Sequence, residues 1–163
     1  YVSINHAYEV SKEGGETEFT SMRKAYQFLP EEYKERIEDL TCIHDYVFSR
    51  SKVSPDAVTS SHAESLPPVQ QRLVRTNPVT GEKNYYVGSH ARSIEGWSDE
   101  KSRQLLDDPL ERAVQPENIY SHQWQLGDLL IWDNRCTQHA RTDFPTDQTR
   151  FLKRVGIAGD KPF

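Results

Sequence analysis

The feature that most constrains this chain is the shortness of its apolar runs. Each lasts only a few residues before turn chemistry interrupts it. Residues 2–10 alternate like a strand, and "TCIHDYVF" (41–48) is rich in β-formers. "QQRLVRTNPVTGEKNYYVG" reads as strand, turn at Asn77-Pro78 and Thr80-Gly81, then strand. Gly127-Asp128 introduces the buried-strand run Leu129 to Trp132, and another alternating segment runs from Arg150 to Val155. Helical spacing interrupts this pattern in two regions. In "TSMRKAYQFLPEEYKERIEDL", Met22, Ala25, Tyr26 and Leu29 recur at i, i+3, i+4 and i+7, with Thr20 as the expected cap. Pro30 there opens a second helical segment striped by Tyr33, Ile37 and Leu40. "SDEKSRQLLDDPLERAV" follows the same rules, with Ser98 as cap and acids in the first turn. No repeat is visible. The pattern is mainly β, and predicts a barrel or two-sheet jelly roll with helical inserts.

The bulk numbers narrow the function classes. With 163 residues the chain is long enough for one domain and one core. Its apolar fraction is 35%, and no run approaches the roughly 18 apolar residues that would span a bilayer. No stretch shows the basic start, apolar core and small-residue cleavage site of a secretory leader. The formal charge is -5 and the lysines and arginines are scattered, which argues against nucleic acid as a partner. Cys42 and Cys136 have no paired spacing and predict neither a disulfide framework nor a zinc site. The expectation is a cytoplasmic protein without membrane or nucleic-acid partners, its homo-oligomerisation left open. Residues 49–68, "SRSKVSPDAVTSSHAESLPP", are Ser- and Pro-rich without periodicity and read as a mobile lid loop.

One C-terminal stretch concentrates chemistry: "DNRCTQHARTDFPTDQTRFLKRV" (133–155). Read as a hairpin, it places Arg150, Leu152 and Arg154 on one face of the second strand, the arginines roughly 13 Å apart at 3.3 Å per residue. His139 would sit on the partner strand. Guanidinium groups bind carboxylates in a fork and keep their charge when desolvated. Such a wall would hold anions. Two surface arginines on a two-sided strand is the alternative that spacing alone leaves open.

The segment "GDLLIWDNRCTQHARTDF…RFLKRVGIAGDKP", with "EGGETEF" and "RTNPVTGEKNYYVG" upstream in the same order, resembles the TauD/TfdA family of Fe(II)- and 2-oxoglutarate-dependent dioxygenases. The resemblance implies a double-stranded β-helix. It also implies that His139 is the distal histidine of a 2-His-1-carboxylate iron site. Arg150, 11 residues later, matches the arginine that pairs with the distal carboxylate of 2-oxoglutarate. Thr17 matches a hydroxyl residue that helps bind 2-oxoglutarate. Arg154 matches a second arginine that meets the anionic group of the substrate. The implied reaction oxidises a small anionic organic molecule, a carboxylate or sulfonate, with release of succinate and CO₂.

The family's proximal H-x-D or H-x-E pair would precede Thr17 by more residues than the sequence holds. Of the histidines, only His62-Ala63-Glu64 has that form. It follows Thr17 instead of preceding it, and reads as a solvated loop pair. His6 and His122 read as structural. Residues 1–163 are therefore expected to form a single dioxygenase-like domain that is N-terminally incomplete, and to bind iron weakly and show no 2-oxoglutarate turnover on their own. The alternative is a non-catalytic jelly-roll protein that binds an anionic metabolite through Arg150 and Arg154.

Overall fold

The computed structural model describes residues 2–53 and 65–159. Within them the chain divides into two compact units. One comprises the chain up to Met22 together with Val114 to the last described residues; the other is Arg23–Ala113.

The first unit is built on β1 (Val2–Glu9) and β2 (Thr17–Ser21). After a 3-10 turn at Pro116–Asn118 it continues with β8 (Ile119–His122), β9 (Leu129–Asp133), β10 (Thr137–Arg141) and β11 (Phe151–Ile157). These strands form two antiparallel sheets, ordered β11-β1-β9 and β10-β2-β8. Alternation decides which faces turn inward. In the first sheet Ser3 and Ala7 are buried, and Trp132 lies opposite Ser3, so this face is internal. Leu129, Ile131, Val155 and Ile157 point the other way and are exposed. In the second sheet Thr17 and Phe19 are buried. The Phe19 and Trp132 rings meet edge to face with centroids 5.4 Å apart, closing one sheet over the other. This is the jelly-roll arrangement expected from the sequence.

Three expectations change. The first is the 133–155 hairpin. β10 pairs with β2 and β11 pairs with β1, so these neighbours in sequence belong to opposite sheets. Between them the chain crosses over, tied by Thr142 N–H to the Glu16 carbonyl (3.0 Å) and by Gly15 N–H to the Asp143 carbonyl (3.1 Å). The second is Thr20 as a helix cap. It lies within β2, opposite Gln138 and Ile119, and Met22 N–H donates to the Cys136 carbonyl at 2.9 Å, so the strand runs directly into the helix. The third is strand character through Phe48. The strand ends at His44, and the Asp45 carboxylate accepts from Phe48 N–H at 3.1 Å, opening a helix over Tyr46–Ser51.

The second unit carries the helices and a smaller set of strands. Its helices are α1 (Met22–Gln27, beginning at the boundary), α2 (Glu31–Ile37), α3 (Tyr46–Ser51) and α4 (Asp99–Ala113). Its strands are β3 (Thr41–His44), β4 (Val69–Arg72), β5 (Val74–Thr76), β6 (Lys83–Tyr85) and β7 (Ala91–Ile94), arranged as a β4-β3-β7 sheet and a β5-β6 ribbon. Ser98 caps α4 as expected, its hydroxyl accepting from Lys101 N–H at 3.3 Å. Leu105 and Leu106 bury the apolar stripe of α4, and Ser102 Oγ accepts from Ile94 N–H at 2.9 Å to fix the helix on β7. No helix among the described residues is long and apolar enough to cross a membrane. Of the expected lid at 49–68, Ser49–Ser51 belong to α3 and residues 54–64 lie outside the described residues, as do His62 and Glu64.

Gly14 sits where the β1–β2 connection meets the β10–β11 crossing. Its φ is +65°, and an added Cβ would overlap the Asp143 carbonyl. Gly81 has φ +72° with open space around it. Gly81→Ala is expected to cost about 1 kcal/mol of left-handed strain, and Gly14→Ala at least about 2 kcal/mol because a backbone must also move. Urea midpoints at unchanged slope measure both; equal losses would contradict the crossing described here.

Candidate active site

Thr17 and Phe19 are two apart on β2 and so share its inner face, about 7 Å from each other along the strand. Each organises one end of a row of side chains inside the first unit.

At the Thr17 end stands Arg150, one residue before β11. Its Nε–H donates to the Gly15 carbonyl at 2.7 Å, and one terminal N–H donates to Thr17 Oγ1 at 3.3 Å. Gly15 is necessary for this approach, since a Cβ there would lie 2.9 Å from Arg150 Cδ. Trp124 Nε1–H also donates to Thr17 Oγ1, at 2.9 Å. The Arg150 guanidinium is half-buried, and no carboxylate among the described residues pairs with it. Its pKa is lowered, first by burial and then by the Arg141 charge; a guanidinium stays protonated nonetheless. Arg150, Trp124 and Gly15 line one polar cavity with Gln123 and Gln125.

At the Phe19 end stands His139, directly opposite Phe19 in the β10–β2 register. Its ring stacks on Phe19 (centroids 6.2 Å) and lies tilted against Trp132 (5.2 Å). Its pKa is lowered, by partial burial of the ring first and by the Arg154 charge second, although the residue as a whole is exposed. The neutral imidazole, the form that ligates metals, is thereby favoured. Arg154 lies over the Trp132 ring, 5.4 Å from its centroid, and donates to Ser3 Oγ at 2.8 Å. Asn134 also hydrogen-bonds Ser3, and it accepts from Trp132 Nε1–H at 2.7 Å. Asn5 lies opposite Arg154 on β1, with a buried side-chain oxygen that has no partner among the described residues.

Thr17 and Arg150 are thus in contact, and His139 and Arg154 both contact the Trp132 ring. The two pairs are linked along β2 without touching each other. His139 does not line the cavity that Arg150 lines. Sequence reasoning missed Ser3, Trp132 and Trp124; of the neighbours His122 and Trp124, it read His122 as structural. For His122 that reading matches the geometry, since its Nε2 meets Asp128 at 3.1 Å across the Gly127 turn. Among the described residues no three His, Cys, Asp or Glu side chains converge as a metal-holding group.

A family model described as "Taurine catabolism dioxygenase TauD, TfdA family" matches residues 3–155. The chain belongs to the TauD/TfdA family. It is 37% identical over 157 residues to the alpha-ketoglutarate-dependent 2,4-dichlorophenoxyacetate dioxygenase of Burkholderia sp. (strain RASC), covering 96% of this chain and 53% of that protein. It is 38% identical over 164 residues to the (S)-phenoxypropionate/alpha-ketoglutarate-dioxygenase of Sphingobium herbicidovorans, covering 97% and 57%. The crystal structure of AAD-2 in complex with Mn(II) and N-oxalylglycine superposes with a TM-score of 0.93 at 42% identity, covering 99% of this chain and 64% of that one. The chain spans about half the length of the curated relatives it matches.

The electrostatics of His139 give a direct expectation. In an NMR titration its midpoint should fall below the ordinary imidazole value of about 6.5. Arg154→Gln should move it upward but not to that value, because burial is the larger cause. A midpoint at or above 6.5 in the parent chain would refute this environment.

Proposed function

We propose that this chain acts in a Fe(II)- and 2-oxoglutarate-dependent dioxygenase reaction on a small anionic organic substrate. The observation that carries the proposal is Arg150. A half-buried guanidinium is anchored by two of its N–H groups, keeps others free, and has no carboxylate partner among the described residues. Leaving such a charge uncompensated is costly. A carboxylate ligand would neutralise it with charge-assisted hydrogen bonds, and the Thr17 hydroxyl stands beside it. The names of the relatives supply the ligand: they are alpha-ketoglutarate-dependent dioxygenases, and AAD-2 was crystallised with N-oxalylglycine, which is close to 2-oxoglutarate in shape and charge.

His139 fits a role as one imidazole ligand of the metal. Its lowered pKa favours the neutral ring, and no hydrogen bond from a described residue occupies that ring. The described residues do not bring two further ligands to it, and one imidazole does not complete a facial triad. Arg154 would meet the anionic group of the substrate. Trp132 beneath it and Ser3 beside it hold the guanidinium in place while it stays open to solvent. Bound together, metal and 2-oxoglutarate would supply the oxidising chemistry. The chain's own part is to fix the cosubstrate carboxylate at Arg150 and the substrate anion at Arg154, which with His139 lies against Trp132. The names of the relatives favour this reading over a non-catalytic anion-binding jelly roll.

Arg150→Ala should weaken 2-oxoglutarate binding by about 2–5 kcal/mol, the usual loss when one partner of a desolvated charge pair is removed. Arg150→Lys should recover only part of it, because the fork is lost. Calorimetric affinities equal to the parent in both variants would remove Arg150 from the site and with it the proposed function.

A further inference from the structure

The hydroxyl of Thr17 accepts two hydrogen bonds at once. Trp124 Nε1–H reaches its oxygen at 2.9 Å and the Arg150 guanidinium at 3.3 Å. A hydroxyl has two lone pairs and one proton. With both lone pairs engaged, its remaining capacity is to donate. Thr17 is buried, with 5% of its surface exposed, and no described residue accepts its proton. A buried donor without an acceptor is costly, so the geometry calls for an acceptor supplied from outside the chain.

We infer that Trp124 is a positioning residue that locks the Thr17 hydroxyl as a donor, so that Thr17 and Arg150 together present only donors to a ligand carboxylate. An indole N–H suits this task because it donates only and cannot reverse its polarity. His122 braces the indole, the two rings meeting at 89° with centroids 4.7 Å apart. His122 is itself held by Asp128. The consequence is chemical selectivity. A carboxylate, which only accepts, satisfies both the Arg150 guanidinium and the Thr17 hydroxyl; a primary amide has one accepting oxygen and would set its N–H groups against one of these two donors. The inference rests on the reading of Arg150 and Thr17 as a carboxylate clamp.

The test is a double-mutant cycle on the full chain, with glutarate as probe. Glutarate has the carboxylates of 2-oxoglutarate but not the keto group that would call for a metal. Affinities are measured by NMR titration for the parent, Thr17→Val, Trp124→Phe and the double variant. Loss of a hydrogen bond to a charged group is expected to weaken glutarate about tenfold in each single variant. The double variant should bind no worse than either single one, because Trp124 acts through Thr17. Multiplied losses in the double variant would show that Trp124 contributes by packing and would overturn the inference, as would parent affinity in Trp124→Phe. A second readout needs no tryptophan variant. Thr17→Val should speed hydrogen exchange of the Trp124 indole proton and Thr17→Ser should not; unchanged exchange in Thr17→Val would also overturn it. Arg150→Ala separates the two claims. Glutarate binding that is absent in the parent, or indifferent to Arg150→Ala, defeats the clamp itself. Binding that needs Arg150 but shows no coupling between Thr17 and Trp124 defeats only the role of Trp124.

Discussion

One guanidinium ties the two sheets of the first unit together at the site. Arg150 enters from the start of β11, in one sheet, and donates to the Gly15 carbonyl and the Thr17 hydroxyl at the start of β2, in the other. The same corner is closed by the backbone bond from Gly15 to Asp143. A cation placed in such a joint would ordinarily be neutralised by a carboxylate from the protein. Its lack of one among the described residues makes sense if the missing anion belongs to a ligand. The fold then meets the cost of a half-buried, unneutralised charge at the position where binding recovers it.

Strand β2 spaces the rest of the site. Its inner face offers Thr17 to the arginine corner and, one alternation later, Phe19 to His139 and Trp132. The aromatic cluster does two things at once. It closes the two sheets over each other, and by partly burying the His139 ring, with the Arg154 charge nearby over Trp132, it lowers the imidazole pKa. The packing and the electrostatics of the site are therefore produced by the same side chains.

Much of this was legible in the sequence, and the failures have specific causes. Alternation located most strands, and the resemblance to TauD/TfdA picked out Thr17, His139, Arg150 and Arg154, all of which lie in one unit, Thr17 in contact with Arg150, and His139 and Arg154 both against Trp132. Strand partners were not legible. Periodicity reports which face a residue takes but not which strand lies beside it, so β10 and β11 looked like a hairpin although they belong to opposite sheets. Thr20 looked like a cap because a threonine precedes an amphipathic run, yet the backbone of β2 runs directly into α1, with the Met22 N–H taken by the Cys136 carbonyl. The helix after His44 was hidden by the β-formers Tyr46, Val47 and Phe48. Its one local signal was Asp45, three residues before the N–H it caps. Trp124 gave no signal, because its role depends on a contact with Thr17 more than a hundred positions away.

The proposed function depends on Arg150 and Thr17 acting as a carboxylate clamp. A crystal structure of the chain with 2-oxoglutarate tests it most directly. The expected result is one carboxylate of the ligand within hydrogen-bonding distance of a free Arg150 N–H and of Thr17 Oγ1, with the Trp124 indole still donating to Thr17. A ligand whose carboxylates both bind away from Arg150, with that guanidinium unchanged and still unpaired, would contradict it.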